Sequence, residues 1–330
     1  NLMLMVYVGD FKLSGPKGNL EEGWRLIREH IKCDPPAKVG RCLGCEHRVY
    51  EERSAKGTVR CIEYDMPDFL KGCVDNYLKL AKAAPSSLKK VPTPFIEEPS
   101  ERVIAEDEKP DEPGVLQPIA CRVLMKILYA ARLARFDLLR AVSALAADVS
   151  KWTRLCDRKL HRLVCYVNSS LEYRLIGKVG DDAERLFLDL YADADFAGCR
   201  KTARSTSGIF LALRGENTFV PLGASSKRQS CVSHSTPEAE IIAANSALRT
   251  EGLPAQHLWE FVFNRQVDIV LQEDNTATLR ILHTGKSTAL RHLARTHHVN
   301  LRWLNEVIGK DGGSAQSCDT PKQAADILTK

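Results

Sequence analysis

The sequence predicts an α/β protein in which a mixed sheet is flanked by helices. In the C-terminal half, three strand-like segments follow one another over 186–225, and a fourth lies at 267–271. A strong helix start at 235–238, with a hydroxyl cap, an early proline and a glutamate, separates the third strand from the fourth. Strands and helices in this order predict a mixed sheet with helices on its faces.

The N-terminal part predicts a hairpin followed by a helix. The apolar segment 2–8 predicts a buried strand, and a tight turn at Gly9-Asp10 leads into a second strand. Helical spacing follows over 20–31. In the C-terminal half, the helix that starts at 235–238 is expected to end at Gly252. The stretch around Leu43-Gly44 is apolar and strand-like.

The middle of the chain changes character twice. Residues 92–114 contain five prolines and eight acidic residues, which predicts a linker. Three helices are expected over 119–169, and the segment 170–183, with its glycines and aspartates, predicts a boundary. We therefore divide the chain into four parts: 1–91, an acidic Pro-rich linker 92–115, a helical region 116–183, and a C-terminal domain 184–330.

Positive charge is concentrated in the helical region. The whole chain has a net charge of +5, whereas residues 116–180 hold 12 Lys+Arg against 4 Asp+Glu. Four basic side chains recur at three- and four-residue steps on the third helix: Lys151, Arg154, Arg158 and Arg162. Such a face is typical of a surface that binds nucleic-acid phosphates, and a solvated helix face is the alternative.

The cysteines favour a reducing compartment, because their number, eleven, is odd and their spacing irregular. One cluster, Cys33, Cys42, Cys45 and His47, contains a single CxxC, whereas structural zinc sites usually repeat that motif. We therefore favour no zinc there. No apolar run approaches the roughly 18 residues of a membrane span. The chain begins at Asn1, and we expect it to be a piece of a longer polypeptide.

Four acids of the C-terminal half lie at positions where carboxylates are unexpected. Asp193 stands where an apolar strand ends, and Asp274 follows the next predicted strand. Glu240 shares a helix face with small residues, whereas Glu238 is expected to serve the helix cap. Asp326 lies in a predicted helical segment near residue 330. Converging carboxylates repel each other, so this set predicts two Mg²⁺ ions, with Mn²⁺ as the alternative ion, and phosphodiester hydrolysis.

Six short motifs in a fixed order make the C-terminal half resemble a known family. They are 191–198 (YADADFAG), 204–208 (RSTSG), 225–229 (SSKRQ), 235–240 (STPEAE), 274–275 (DN) and 325–330 (ADILTK). They resemble the ribonuclease H domain of copia-type LTR retrotransposon Pol polyproteins. The resemblance implies a ribonuclease H-like fold and assigns the catalytic, metal-binding tetrad to Asp193, Glu240, Asp274 and Asp326. Two departures are His297-His298-Val299-Asn300, where the family has Lys-His-Ile-Asp, and a missing Trp near Leu222-Gly223.

Residues 7–10 resemble a degenerate form of the polymerase motif of the same polyprotein. Tyr7, Val8, Gly9 and Asp10 stand where copia-type reverse transcriptases have Tyr-Val-Asp-Asp. The resemblance implies a palm remnant over 1–91 and a thumb or connection over 116–183. Because glycine has no side chain to bind a metal, Gly9 predicts that this fragment does not polymerise DNA.

Three functional hypotheses follow. The first is a retrotransposon-derived ribonuclease H that degrades RNA in RNA–DNA hybrids; the second is a non-catalytic remnant that still binds nucleic acid; the third is a decayed element without a role. The expected partners are an RNA–DNA hybrid and template–primer nucleic acid. The expected location is intracellular, in cytoplasmic virus-like particles, with the nucleus as a second location.

Overall fold

Nine strands form one mixed sheet in the computed structural model, which describes residues 2–54, 57–95, 112–199, 201–310 and 312–330. A separate two-stranded sheet lies near the N-terminus. In chain order the strands are β1 (Met3–Tyr7), β2 (Asp10–Ser14), β3 (Arg41–Cys42), β4 (Cys45–Ser54), β5 (Gly57–Asp65), β6 (Leu175–Val179), β7 (Phe187–Cys199), β8 (Arg204–Arg214), β9 (Phe219–Arg228), β10 (Ile269–Glu273) and β11 (Gly313–Ser317).

Helices lie between these strands as the predicted α/β class requires, so the class is confirmed. They are α1 (Lys17–His30), α2 (Pro67–Ala81), α3 (Gln117–Leu133), α4 (Leu139–Ala147), α5 (Arg154–Ser169), α6 (Thr236–Ala247), α7 (Leu253–Phe263), α8 (Thr276–Thr284), α9 (Leu293–Thr296) and α10 (Leu301–Gly309). Within the described ranges, no helix is both long enough and apolar enough to cross a membrane.

The large sheet has the order β11-β10-β7-β8-β9-β6-β5-β4-β3. Strand β10 runs parallel to β7 and β11, and the other neighbours are antiparallel. Strand β6 pairs with β5 along its whole length but meets β9 through one pair, Lys178–Phe219. The sheet therefore continues across the predicted border at residue 184, and the division into four domains stays a prediction.

Strands β7 and β8 contribute apolar residues to both faces, so the sheet has a core on each side. Leu188 and Leu190 belong to the core that contains α6 and the helices after it. Tyr191 and Phe210 belong to the core of the opposite face, where Phe136 packs edge-on against Phe210 with ring centroids 6.3 Å apart. The helical region α3–α5 thus packs directly against the C-terminal strands.

Two predictions about the N-terminal half were wrong. The strand within 2–8 is largely exposed, with Val6 at 55%, because its hairpin lies outside the main sheet. Leu43 and Gly44 form a turn with positive φ, 54° and 76°, between β3 and β4. The segment 170–183 contains strand β6, which pairs with β5, and its role as a domain boundary stays a prediction.

Two expectations about the later helices also changed. Gly252 does not end a helix, because its φ and ψ, both −62°, are helical, and the chain continues through a π-helical turn, Leu248–Gly252, to Phe263. Asn264, with φ 53°, ends that helix instead. Asp326 lies in a single 3₁₀ turn, Asp326–Leu328. Of the predicted linker, residues 96–111 lie outside the described residues.

The shared core generates a stability prediction. Leu138 is completely buried in the core that contains residues of both the helical region and the sheet, so Leu138→Ala should lower the free energy of unfolding by about 2–5 kcal/mol. Val6, which is 55% exposed, is the matched control, and Val6→Ala should change stability by less than about 0.5 kcal/mol. Chemical denaturation measures both, and equal effects would contradict the shared core.

Candidate active site

Three carboxylates from three elements meet at one end of the C-terminal strands. Oxygen atoms of Asp193 on β7, Glu240 on α6 and Asp274 after β10 all lie within 4.8 Å of one another. We call this set the three-acid group. Asp193 is 5% exposed, Glu240 is 4% exposed, and Asp274 is half-buried. Throughout the described residues, no other set of Asp, Glu, His or Cys side chains converges in this way.

The parallel register of β7 and β10 places two of these acids side by side. Tyr191 pairs with Gln272, so Asp193 and Asp274 each follow the same residue pair by two positions. Asn275 then caps α8 through its side chain, which turns the chain into a helix directly after Asp274. The two acids therefore share the carboxyl edge of the parallel strands, where ligands of α/β sheets bind.

The start of α6 fixes the third acid. The Ser235 hydroxyl accepts a hydrogen bond from the Glu238 backbone N–H at 3.4 Å, which confirms the predicted cap. Beyond it, Ala243, Ala244 and Ala247 are completely buried, and they lie on the same helix face as Glu240. Because these side chains are small, α6 packs close to the sheet and Glu240 reaches the strand ends.

Asp326 lies beside the three-acid group and is not one of the acids that converge. Its Oδ1 forms an ion pair with the Lys330 ammonium. The Thr329 hydroxyl hydrogen-bonds Asp193 Oδ2 and lies 3.0 Å from the backbone oxygen of Asp326. The structure therefore connects Asp326 to the group through the backbone and Thr329.

Gly208 allows the turn that carries Asp326 to lie against the sheet. This glycine pairs with Asp193 across β7 and β8. A Cβ at position 208 would lie 2.7 Å from the Ala325 carbonyl oxygen, which is backbone and cannot rotate away. A side chain here would push the turn, and Asp326 with it, away from Asp193.

Burial and mutual repulsion disfavour the charged forms of these acids. Burial raises the pKa of Asp193, and the charges of Asp326 and Asp274 add to the effect. Burial also raises the pKa of Glu240 to about 10, with further contributions from neighbouring carboxylates. The Oε2 atom of Glu240 is buried without a hydrogen-bond partner. Buried carboxylate oxygens without a hydrogen-bond partner are ligands that a divalent cation such as Mg²⁺ accepts.

Glu273 is a further acid that the sequence interpretation missed. It is fully buried, its Oε1 accepts a hydrogen bond from the Asn275 N–H at 3.1 Å, and its Oε2 has no partner. Burial raises its pKa to about 8, and the charges of Asp274 and Asp193 contribute. The sequence contained a signal for this position, because Glu273 lies on the same face of β10 as the apolar residues Ile269 and Leu271.

Two neighbouring acids have structural partners instead. Asp195 accepts a hydrogen bond from the Thr206 N–H and pairs with Arg140 at 3.2 Å; burial raises its pKa to about 6. The Glu238 carboxylate does more than serve the cap. Its Oε2 accepts the His234 N–H at 3.0 Å, and its Oε1 lies 3.0 Å from His292 Nε2 and 3.3 Å from His297 Nε2.

The predicted basic face lies on the outside of the molecule. Lys151, in a 3₁₀ turn before α5, and Arg154 and Arg158 on α5 are exposed, whereas Trp152 and Leu163 are buried on the other side. Arg154 pairs with Glu112 at 2.9 Å, and Arg162 donates hydrogen bonds to the Thr93 oxygen atoms. The sidedness is confirmed, and nucleic-acid binding by this face stays a prediction.

The other predicted motifs form no metal site in the described part of the chain. Tyr7, Val8, Gly9 and Asp10 make an exposed hairpin turn. His47 Nδ1 lies 3.1 Å from the Lys12 ammonium, and burial together with that charge lowers the pKa of His47 to about 4. Among the described residues, Cys33, Cys42, Cys45 and His47 do not bring three ligand atoms together.

Comparison with known proteins relates the chain to retrotransposons. Over 142 residues, 42% of its length, it is 28% identical to the retrovirus-related Pol polyprotein from transposon TNT 1-94 of Nicotiana tabacum. The match covers 10% of that polyprotein, so the chain corresponds to a small part of it. No family model matches the chain, and no solved structure matches it significantly. The similarity supports a relation to a retrotransposon Pol polyprotein.

The raised pKa of Glu240 generates a prediction about pH. An acid whose folded pKa exceeds its unfolded value binds more protons when folded, so stability falls as pH rises from about 4.5 towards 10. In chelator, the chain should lose stability over this window by up to about 1.4 kcal/mol per pH unit per proton. Glu240→Gln should flatten the decline, as measured by denaturation at several pH values. An identical pH profile in the variant would contradict the repulsion described here.

Proposed function

We propose that the chain is a retrotransposon-derived ribonuclease H that hydrolyses the RNA strand of RNA–DNA hybrids. The observation that carries the proposal is the convergence of Asp193, Glu240 and Asp274 within 4.8 Å at the carboxyl edge of β7 and β10. The relation to a transposon Pol polyprotein supports a nucleic-acid substrate. The order of motifs over 191–330 favours ribonuclease H among the activities of such polyproteins.

The residues that would hold Mg²⁺, or Mn²⁺ in its place, are the three-acid group, with Asp326 beside it. A pair of such ions, when bound, activates water and stabilises the leaving oxygen of a phosphodiester. The chain itself supplies orientation. Thr329 holds the Asp193 carboxylate through a hydrogen bond, and Asn275 fixes the helix start next to Asp274. Lys330 neutralises Asp326, which lowers the repulsion around Asp193.

A basic cavity next to the site fits the phosphates of a bound strand. It has a volume of about 290 Å³ and is bordered by Thr329, the residue that contacts Asp193. Four basic side chains line it against two acids, Asp148 and Asp195; they are Arg140, Lys159, Arg228 and Lys330. Three of these side chains form ion pairs, Arg140 with Asp195, Arg228 with Asp148 and Lys330 with Asp326. The cationic groups around the cavity still favour a polyanion, with an RNA–DNA hybrid or template–primer duplex as the proposed partner.

The N-terminal part is proposed to be a degenerate reverse transcriptase remnant without polymerase activity. Gly9 has no metal ligand, and Asp10 is exposed in a hairpin turn. For the location we propose the interior of the cell, in cytoplasmic virus-like particles with the nucleus as a second site.

Substitution of Asp274 tests the enzyme proposal. Asp274→Asn keeps the size of the side chain and an oxygen that can accept the Thr320 hydroxyl, now 2.9 Å from Oδ2, but removes one charge. Cleavage of a labelled RNA–DNA hybrid in Mg²⁺ should fall by orders of magnitude, while the melting temperature holds or rises. The matched control is Asp319→Asn, which removes an exposed carboxylate paired with Lys322. Undiminished cleavage by the Asp274 variant would overturn the assignment.

A second candidate function, nucleic-acid binding without catalysis, is favoured by the basic face of α5. If this face contacts phosphates, replacing both Arg154 and Arg158 with Gln should weaken hybrid binding and reduce the slope of log K against log salt by about one to two. The control is Arg302→Gln, because Arg302 is also exposed and also has an acidic partner, Glu306. Titration at several salt concentrations measures the slope. An unchanged slope would show that the basic face of α5 is solvated and does not bind phosphates.

A further inference from the structure

Glu273 occupies a place in the core that a charged residue rarely takes without a partner. Along β10, side chains alternate, so Glu273 faces the same side as Ile269 and Leu271, which belong to the core under α6. Its side chain is fully buried, and only its Oε1 has a hydrogen-bond donor. Leaving the Oε2 atom without a partner costs free energy that an apolar residue at this position would not cost.

The neighbours of Glu273 are the proposed metal ligands. Asp274 follows it directly, and the charge of Glu273 contributes to the raised pKa of Glu240. The Oε2 atom of Glu240 is also buried without a partner. Two buried carboxylate oxygens without partners therefore adjoin the three-acid group: Glu240 is a member of it, and Glu273 directly precedes its member Asp274.

The charges explain why a fifth acid would be useful. The three-acid group and Asp326 carry four negative charges, and the Lys330 ion pair cancels one of them. Two divalent cations bring four positive charges, so the pair of ions would leave one positive charge without compensation. Uncompensated charge in a buried site is unfavourable.

We propose that Glu273 belongs to the metal centre, where its carboxylate supplies the fourth negative charge that a second divalent ion requires. This inference rests on the proposed metal-dependent function. Glu273 is a positioning residue here: it acts on the ions and on Glu240 and does not contact the reacting phosphodiester. Its role is to allow two ions, rather than one, to bind at moderate concentration.

Binding of Mn²⁺ to the full chain, measured by calorimetry and by electron paramagnetic resonance, tests the proposal. The wild-type chain should bind two ions. Glu273→Gln, which keeps the shape and removes the charge, should bind one ion with nearly unchanged affinity and the second at least about tenfold more weakly. Glu273→Asp, which keeps the charge and shortens the side chain, should retain both ions.

A structural role predicts the reverse order, because the Gln side chain fills the same space and the Asp side chain leaves a cavity. Two ions bound by Glu273→Gln with wild-type affinity would therefore overturn the proposal. Glu273→Met is a second neutral variant of similar volume, and it needs no hydrogen-bond partner in the core. It should lose the same ion, so the test holds even where the Gln variant folds poorly.

Two controls separate this inference from the proposed function. Asp189→Asn removes another buried carboxylate, which lies on the face of β7 away from the core under α6 and accepts hydrogen bonds from the Tyr191 hydroxyl and Arg214, and it should keep both ions. A wild-type chain that binds no Mn²⁺ would overturn the metal centre itself and this inference with it. A wild-type chain that binds two ions, with Glu273→Gln identical to it, would overturn only the role of Glu273.

Discussion

Burial of strand β7 on both faces is the constraint on which the rest of the structure depends. Its even-numbered residues, such as Leu188 and Leu190, pack into the core under α6, and Tyr191 packs into the core under the helical region. A slip of one residue would exchange the two faces, so both cores fix the same register. Asp193 takes its position from that register, and the parallel pairing with β10 transmits it to Asp274. The site is therefore held by most of the hydrophobic core.

The acids oppose folding, and nearby groups limit their cost. The Thr329 hydroxyl donates a hydrogen bond to Asp193, and Lys330 forms an ion pair with Asp326. Asp195 pairs with Arg140 and accepts a hydrogen bond from a backbone N–H. Glu240 and Glu273 keep oxygens without partners, so the compensation is incomplete where the acids converge. Of the five buried side-chain atoms without a partner among the described residues, two lie at this edge, on Glu240 and Glu273. Carboxylate oxygens without a partner are the kind of ligand that a divalent cation accepts.

Sequence patterns predicted those features whose cause is local. The Ser235 cap, the strands within β7 and β8 and the small-residue face of α6 depend on neighbours within a few positions, and they appear as predicted. Features set by distant partners were not predictable in the same way. Strand β6 forms because its backbone pairs with that of β5. Gly252 stays helical because the π turn continues into α7. Of the four predicted acids, only Asp326 owes its position to a turn that packs closely against the sheet, which Gly208 permits because it has no side chain.

The departures from the copia-type motifs differ in their physical consequence. Asn300 replaces the Asp of the family pattern, yet its side chain still accepts hydrogen bonds from the Arg302 and Trp303 N–H groups and caps α10. The loss of a charge there leaves the local structure intact. Gly9 has no side chain to bind a metal, and among the described residues the neighbouring Asp10 belongs to no group of three converging ligand side chains. Because that hairpin lies outside the nine-stranded sheet, a change at Gly9 leaves the register of β7, and hence the three-acid group, unaffected.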